Sequence, residues 1–131
     1  FATFMDVPDH IAPDGSEIRL LPQMDGGGAC HCRLPCGKTS TAVKHQHVEE
    51  IWYCISGSGV IRFKEVDKPA VESVLEKGTI LSIKPNVAFQ FKNTGRGDLD
   101  ILIITMPKWP GPEEAIHVED LFDGPLAMAR L

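Results

Sequence analysis

His45-Gln46-His47-Val48-Glu49-Glu50-Ile51-Trp52-Tyr53-Cys54-Ile55-Ser56-Gly57-Ser58-Gly59 sets two histidines and two carboxylates directly ahead of an apolar segment closed by glycines. Its apolar part is rich in β-branched and aromatic residues, the composition of a strand, and Gly57-Ser58-Gly59 reads as the turn that ends it. Imidazoles two apart on an extended chain project to the same side. His45 and His47 are therefore a candidate metal-ligating pair, which Glu49 or Glu50 joins once the chain bends back. First-row divalent ions accept such mixed nitrogen and oxygen shells.

Working outward, Gly and Pro punctuate the chain at short intervals, and the segments between them have strand composition. They are residues 17–21, 29–34, 40–44, 50–55, 59–64, 71–75, 79–83, 87–92 and 99–106. Short strands at regular spacing with no helical period predict an all-β sandwich or barrel. In Val60-Ile61-Arg62-Phe63-Lys64, Ile61 and Phe63 point one way and Arg62 and Lys64 the other, which gives this strand a wet side. Leu99 to Met106 is apolar on both faces, as expected for a strand covered on both sides, one cover being a second copy of the chain. A homodimer is expected on that ground.

The chain has 131 residues, enough for one domain that buries a core without staples. Charged residues make up 24% and hydrophobic ones 43%, ordinary for a globular protein rather than a disordered chain. A net charge of −5 with no basic cluster argues against nucleic acid as a partner. Apolar runs such as Ile101-Leu102-Ile103-Ile104 are too short to span a bilayer, no membrane partner is expected, and the expected location is cytoplasmic. Cys30, Cys32 and Cys36 lack the paired spacing of structural zinc, so Cys30 and Cys32 read as small buried hydrophobes on one face of a strand. His10, His31 and His117 stand apart from the cluster and read as surface or hydrogen-bonded residues.

The histidine segment resembles the first signature of the cupin superfamily: a glycine, H-x-H, a spacer, a glutamate and a second glycine. Gly37, His45, His47, Glu50 and Gly57 occupy those places, with a longer first gap and a shorter spacer than usual. Glu49 shares strand parity with the histidines, whereas Glu50 fits the family register and is the favoured ligand. The second signature is echoed by Gly78, Pro85 and Asn93-Thr94-Gly95, with Val87 in place of the middle glycine and no histidine. Counting from Pro85 puts Gln90 in the histidine's place; counting back from Asn93 puts Phe89 there. Thr105-Met106-Pro107-Lys108-Trp109-Pro110-Gly111 is similar to the tail of a group of small single-domain cupins.

The resemblance covers roughly residues 28–111 and implies a double-stranded β-helix, or jelly-roll barrel. Residues 1–27 would then be an arm and first edge strand, and 112–131 a tail packed on the barrel or on a partner. It implies one divalent transition metal ion (iron, manganese, nickel or zinc) on His45, His47, Glu50 and Gln90. Trp52, Tyr53, Cys54, Phe89 and Phe91 would wall a pocket for a small-molecule substrate, and Glu49 could act as general base. The function so implied is a metal-dependent enzyme of dioxygenase, isomerase, cyclase or lyase type acting on a small oxygen-rich or aromatic metabolite. Its rivals are a non-catalytic barrel that binds a small molecule after losing part of its metal site, and a dimeric accessory barrel.

Overall fold

The computed structural model describes Thr3 and residues 6–127. Eleven strands and one 3-10 turn make up the described fold: β1 His10–Ile11, β2 Glu17–Met24, β3 Gly27–Leu34, β4 Val43–His45, β5 Glu49–Ser56, β6 Ser58–Lys64, β7 Val71–Glu76, β8 Ile80–Ile83, β9 Ala88–Asn93, β10 Leu99–Met106, the turn Pro112–Glu114, and β11 Ala115–His117. Two antiparallel sheets form, ordered β1-β2-β3-β10-β5-β8 and β11-β4-β9-β6-β7. Their inner faces share one core, in which Trp52 and Ile101 of the first sheet meet Ile61, Phe89 and Phe91 of the second. This is an all-β barrel, as the strand pattern predicts, with the double-stranded β-helix arrangement that the resemblance implies.

Alternation decides what each strand contributes to that core. In β5, Glu50, Trp52 and Cys54 are buried, while Glu49, Ile51, Tyr53 and Ile55 lie on the outer face. In β10, Leu99, Ile101, Ile103 and Thr105 point inward; Asp100, Leu102, Ile104 and Met106 are half-buried outside. Two glycines let the sheets close. Gly57 holds φ at 93°, and a Cβ there would sit 2.4 Å from the Asp98 carbonyl oxygen. A Cβ on Gly59 would lie 2.3 Å from the Lys92 carbonyl oxygen, so β6 reaches β9 only without a side chain.

The nine expected strands all occur, and two short ones lie outside the expected set. β1 pairs with β2, and β11 brings the tail back to pair with β4, setting Ala115 opposite His45. Neither has the length or alternation that announces a strand in sequence. The expected wet side of β6 is covered in part by the tail. Arg62 donates to the carbonyls of Leu121 and Phe122 and stacks 4.8 Å over the Phe122 ring. Residues 128–131 of the expected tail lie outside the described residues. No helix among the described residues is long and apolar enough to cross a membrane.

Candidate functional site

A cavity of about 110 Å³ opens between the inner faces at one end of the barrel. An apolar protein cavity of roughly 150 Å³ takes benzene, so this one suits a small organic molecule. Ile18, Val43 and Ile103 form its apolar wall, and Trp52, Phe89 and Trp109 add aromatic surface. The rings are arranged edge to face. Phe91 meets Trp52 at 5.0 Å, Trp52 meets Phe89 at 5.6 Å, and His45 meets Phe89 at 5.2 Å and Trp109 at 5.0 Å. This chain of contacts runs from the core to the pocket and fixes the imidazole of His45 in its wall.

The polar groups of the pocket are few. Glu50 is 6% exposed; its Oε1 accepts from Trp52 Nε1 at 3.1 Å and its Oε2 from Thr105 Oγ1 at 3.0 Å. Burial is the largest influence on its carboxyl and pushes the pKa up to about 7, against the pull of those two donors. His45 is 5% exposed, and its Nδ1 is buried with no hydrogen-bond partner, 3.8 Å from Glu50 Oε1. That gap is too long for a hydrogen bond. Burial lowers the imidazole pKa to about 4, so the ring is neutral at physiological pH. Asp14, held by the amide and hydroxyl of Ser16, adds a second carboxylate, which burial also raises. The Cys30 thiol beside them is pushed up to about 12 by burial and by the charges of Glu50 and Asp14. Near neutrality Glu50 can take or give a proton, and His45 can accept or donate a hydrogen bond.

The four residues expected to ligate a metal do not converge. His45 and Glu50 face the pocket. His47 does not: its side chain is 77% exposed. β4 ends at His45 and residues 46–47 bend, so the two-residue parity that would align the rings has no extended backbone to carry it. Glu114 from the tail fixes the bend. Its carboxylate accepts from the amides of Gln46 and His47 at 2.7 Å and of Val48 at 3.3 Å, and from His47 Nδ1 at 2.8 Å. Gln90 lies on the opposite face of β9, where its amide donates to the Ser40 carbonyl and accepts from the Leu121 amide. No group of three or more His, Cys, Asp or Glu able to hold a metal occurs among the described residues. The donors present thus do not fit the implied metal: two of the four are committed to the tail.

The expected pocket walls divide similarly. Trp52 and Phe89 line the cavity; Phe91 and Cys54 are buried deeper in the core. Tyr53 is 40% exposed and Glu49 is also on the outer face, which corrects their assignment to the pocket and to general-base chemistry. The left-handed residue of the β8–β9 turn is Asn86, with φ of 64°, one position before the Val87 that the signature register suggests. All four cysteines are free; Cys32 and Cys54 are buried, and Cys30 lines the pocket. Asp14 had no signal in the sequence that set it apart, whereas Thr105 and Trp109 belong to the quoted cupin-like tail and Cys30 was expected only as a small buried residue.

The chain is similar to known proteins in sequence and in fold. MJ1618, an uncharacterized protein of Methanocaldococcus jannaschii, is 29% identical over 108 residues, covering 79% of this chain and 82% of that one. The capsular polysaccharide assembling protein CapF from Staphylococcus aureus superposes with a TM-score of 0.73 at 20% identity over 85% of this chain, which spans only 34% of CapF. An uncharacterized Klebsiella pneumoniae protein with a double-stranded β-helix domain matches over 92% of this chain and all of its own, with a TM-score of 0.64 at 16% identity. These structural likenesses speak to fold. The cupin domain family profile matches residues 30–105, from the Cys30 of the pocket wall to the Thr105 that holds Glu50, and on that match the chain belongs to the cupin family.

Proposed function

We propose that this cupin binds a small organic molecule in its barrel, with His45 and Glu50 as the polar contacts, and that the four-ligand metal set is not used. The reading rests on one observation: His45, only 5% exposed, lines an apolar cavity, and its buried Nδ1 has no partner and stands 3.8 Å from a carboxylate that two donors hold in place. A buried polar atom without a partner costs about 1–3 kcal/mol. A ligand that bonds to Nδ1 recovers that cost. An apolar cavity with a few convergent polar groups is the usual form of a small-molecule site.

The metal-dependent enzyme implied by the cupin signature needs His47 and Gln90 to turn inward. Each would have to give up a bond that ties it to the tail, and Gln90 also its bond to the Ser40 carbonyl. Metal analysis of purified protein separates the two readings. Substoichiometric metal is expected, with no rise in melting temperature on adding iron(II), manganese, nickel or zinc. A fragment screen read by the fluorescence of Trp52 and Trp109, both in the pocket wall, should find binders that Ala115→Phe excludes by filling the cavity. One equivalent of metal, lost in His45→Ala, would overturn the proposal.

A further inference from the structure

The lining of the pocket is one-sided in charge. Asp14 and Glu50 are both in it, its other titratable nitrogen groups are the imidazoles of His45 and, on the exposed side, His10, and no lysine or arginine is among its described residues. A ligand carboxylate or phosphate entering this space would meet two carboxyl groups and no lysine or arginine, in a medium where charges are poorly screened. A compact cation meets the reverse. Glu50 is anchored through one bond to each oxygen, which leaves lone pairs on both for a ligand donor. Asp14 receives its two bonds from Ser16 on a single oxygen, Oδ1.

The unpartnered Nδ1 of His45 supplies an independent pointer. Nδ1 and Glu50 Oε1 stand 3.8 Å apart without a bond between them, a spacing that one N–H-bearing group can bridge by donating to both. Around them, Trp52, Phe89 and Trp109 present aromatic surface, which attracts cations through the negative ring faces. We propose, building on the small-molecule reading above, that the pocket selects a small organic cation bearing N–H donors, an amine or amidine, and rejects carboxylates and phosphates.

Benzylamine, benzyl alcohol and benzoate share a ring and differ in the charge of the polar end. Their titration into the full chain at pH 7.5, followed by tryptophan fluorescence and by calorimetry, tests the selection. Benzylamine should bind about tenfold more tightly than benzyl alcohol, as a charge-assisted hydrogen bond warrants, and benzoate more weakly than either. Glu50→Gln keeps the shape and removes the charge; it should bring benzylamine down to the alcohol's affinity. Benzoate binding as well as benzylamine, or an amine preference that survives Glu50→Gln combined with Asp14→Asn, overturns the cation assignment and leaves the small-molecule pocket standing. Failure of all three to bind removes both.

Discussion

His45 and His47 are two residues apart and have opposite fates. The first is buried in the barrel wall with an unpartnered nitrogen; the second is in solvent with its Nδ1 bonded. What separates them is the end of a strand. β4 carries His45 inward with Val43, and at Gln46 the backbone leaves the extended form and is taken over by a carboxylate from the far end of the chain. Side-chain direction in this segment is thus set by strand parity up to His45 and by a tertiary contact after it.

Removing that contact is the strongest way to break the comparison. Glu114 is 3% exposed and accepts from three successive amides and one ring. Burial works against its charge, and the bonds from His47, Val48 and Gln46 more than offset it, holding its carboxyl below the usual range. Glu114→Ala leaves those amides without their acceptor, at a cost of about 1–3 kcal/mol for each that water does not reach. A loss of about 3–4 kcal/mol is expected in urea denaturation, with faster amide exchange at residues 46–48. A change under about 1 kcal/mol would mean that the loop keeps its shape without the tail.

The pocket side of the comparison is sharpened by pH. The Glu50 pKa rises from 4.5 to about 7 on folding, chiefly through burial. The folded state therefore holds a proton that the unfolded state releases above 4.5. Its contribution is complete below pH 4.5 and is lost as pH rises to 7, by about 3 kcal/mol. For His45 the pKa falls from 6.5 to about 4, again through burial. Its contribution is complete above pH 6.5 and is lost as pH falls toward 4, by a similar amount. Between pH 4.5 and 6.5 the two slopes oppose each other. Relative to the wild type, Glu50→Gln should gain stability steadily from pH 4.5 to 7, and His45→Gln should gain it as pH falls from 6.5 to 4. Equal slopes in both variants would show that neither group is desolvated as the structure has it.

Much of the architecture could be read from the sequence because its signals are local. Alternation in Val60 to Lys64 and the glycines at 57 and 59 mark strands and a turn whatever the rest of the chain does. The site was legible only where the same rule ran unbroken: Glu50 and Trp52 share parity inside β5, and both reach the pocket. It failed at Gln90, where both faces of β9 are buried, one by the core and one by residues near Leu121. A glutamine whose amide satisfies the Ser40 loop and the tail looks, in sequence, the same as a glutamine that faces a metal. The cross-strand neighbour of Gln90, Arg62, has the same hidden role: both hold the tail over the expected wet face.

The smallest effect belongs to His47 itself. Its ring is mostly in solvent, so the bond to Glu114 competes with water and the imidazole adds little by its own presence. The backbone amide of His47 makes the better-shielded contact, and His47→Ala keeps that amide. The substitution should cost about 0.5 kcal/mol or less, as for other exposed positions, and leave tryptophan-detected ligand binding unchanged. Under the metal reading the same change removes a first-row ion's imidazole, with loss of bound metal and of whatever depends on it. A single alanine at position 47, assayed for stability, metal content and pocket occupancy, therefore asks whether the motif's second histidine serves the barrel's interior or only closes the loop around Glu114.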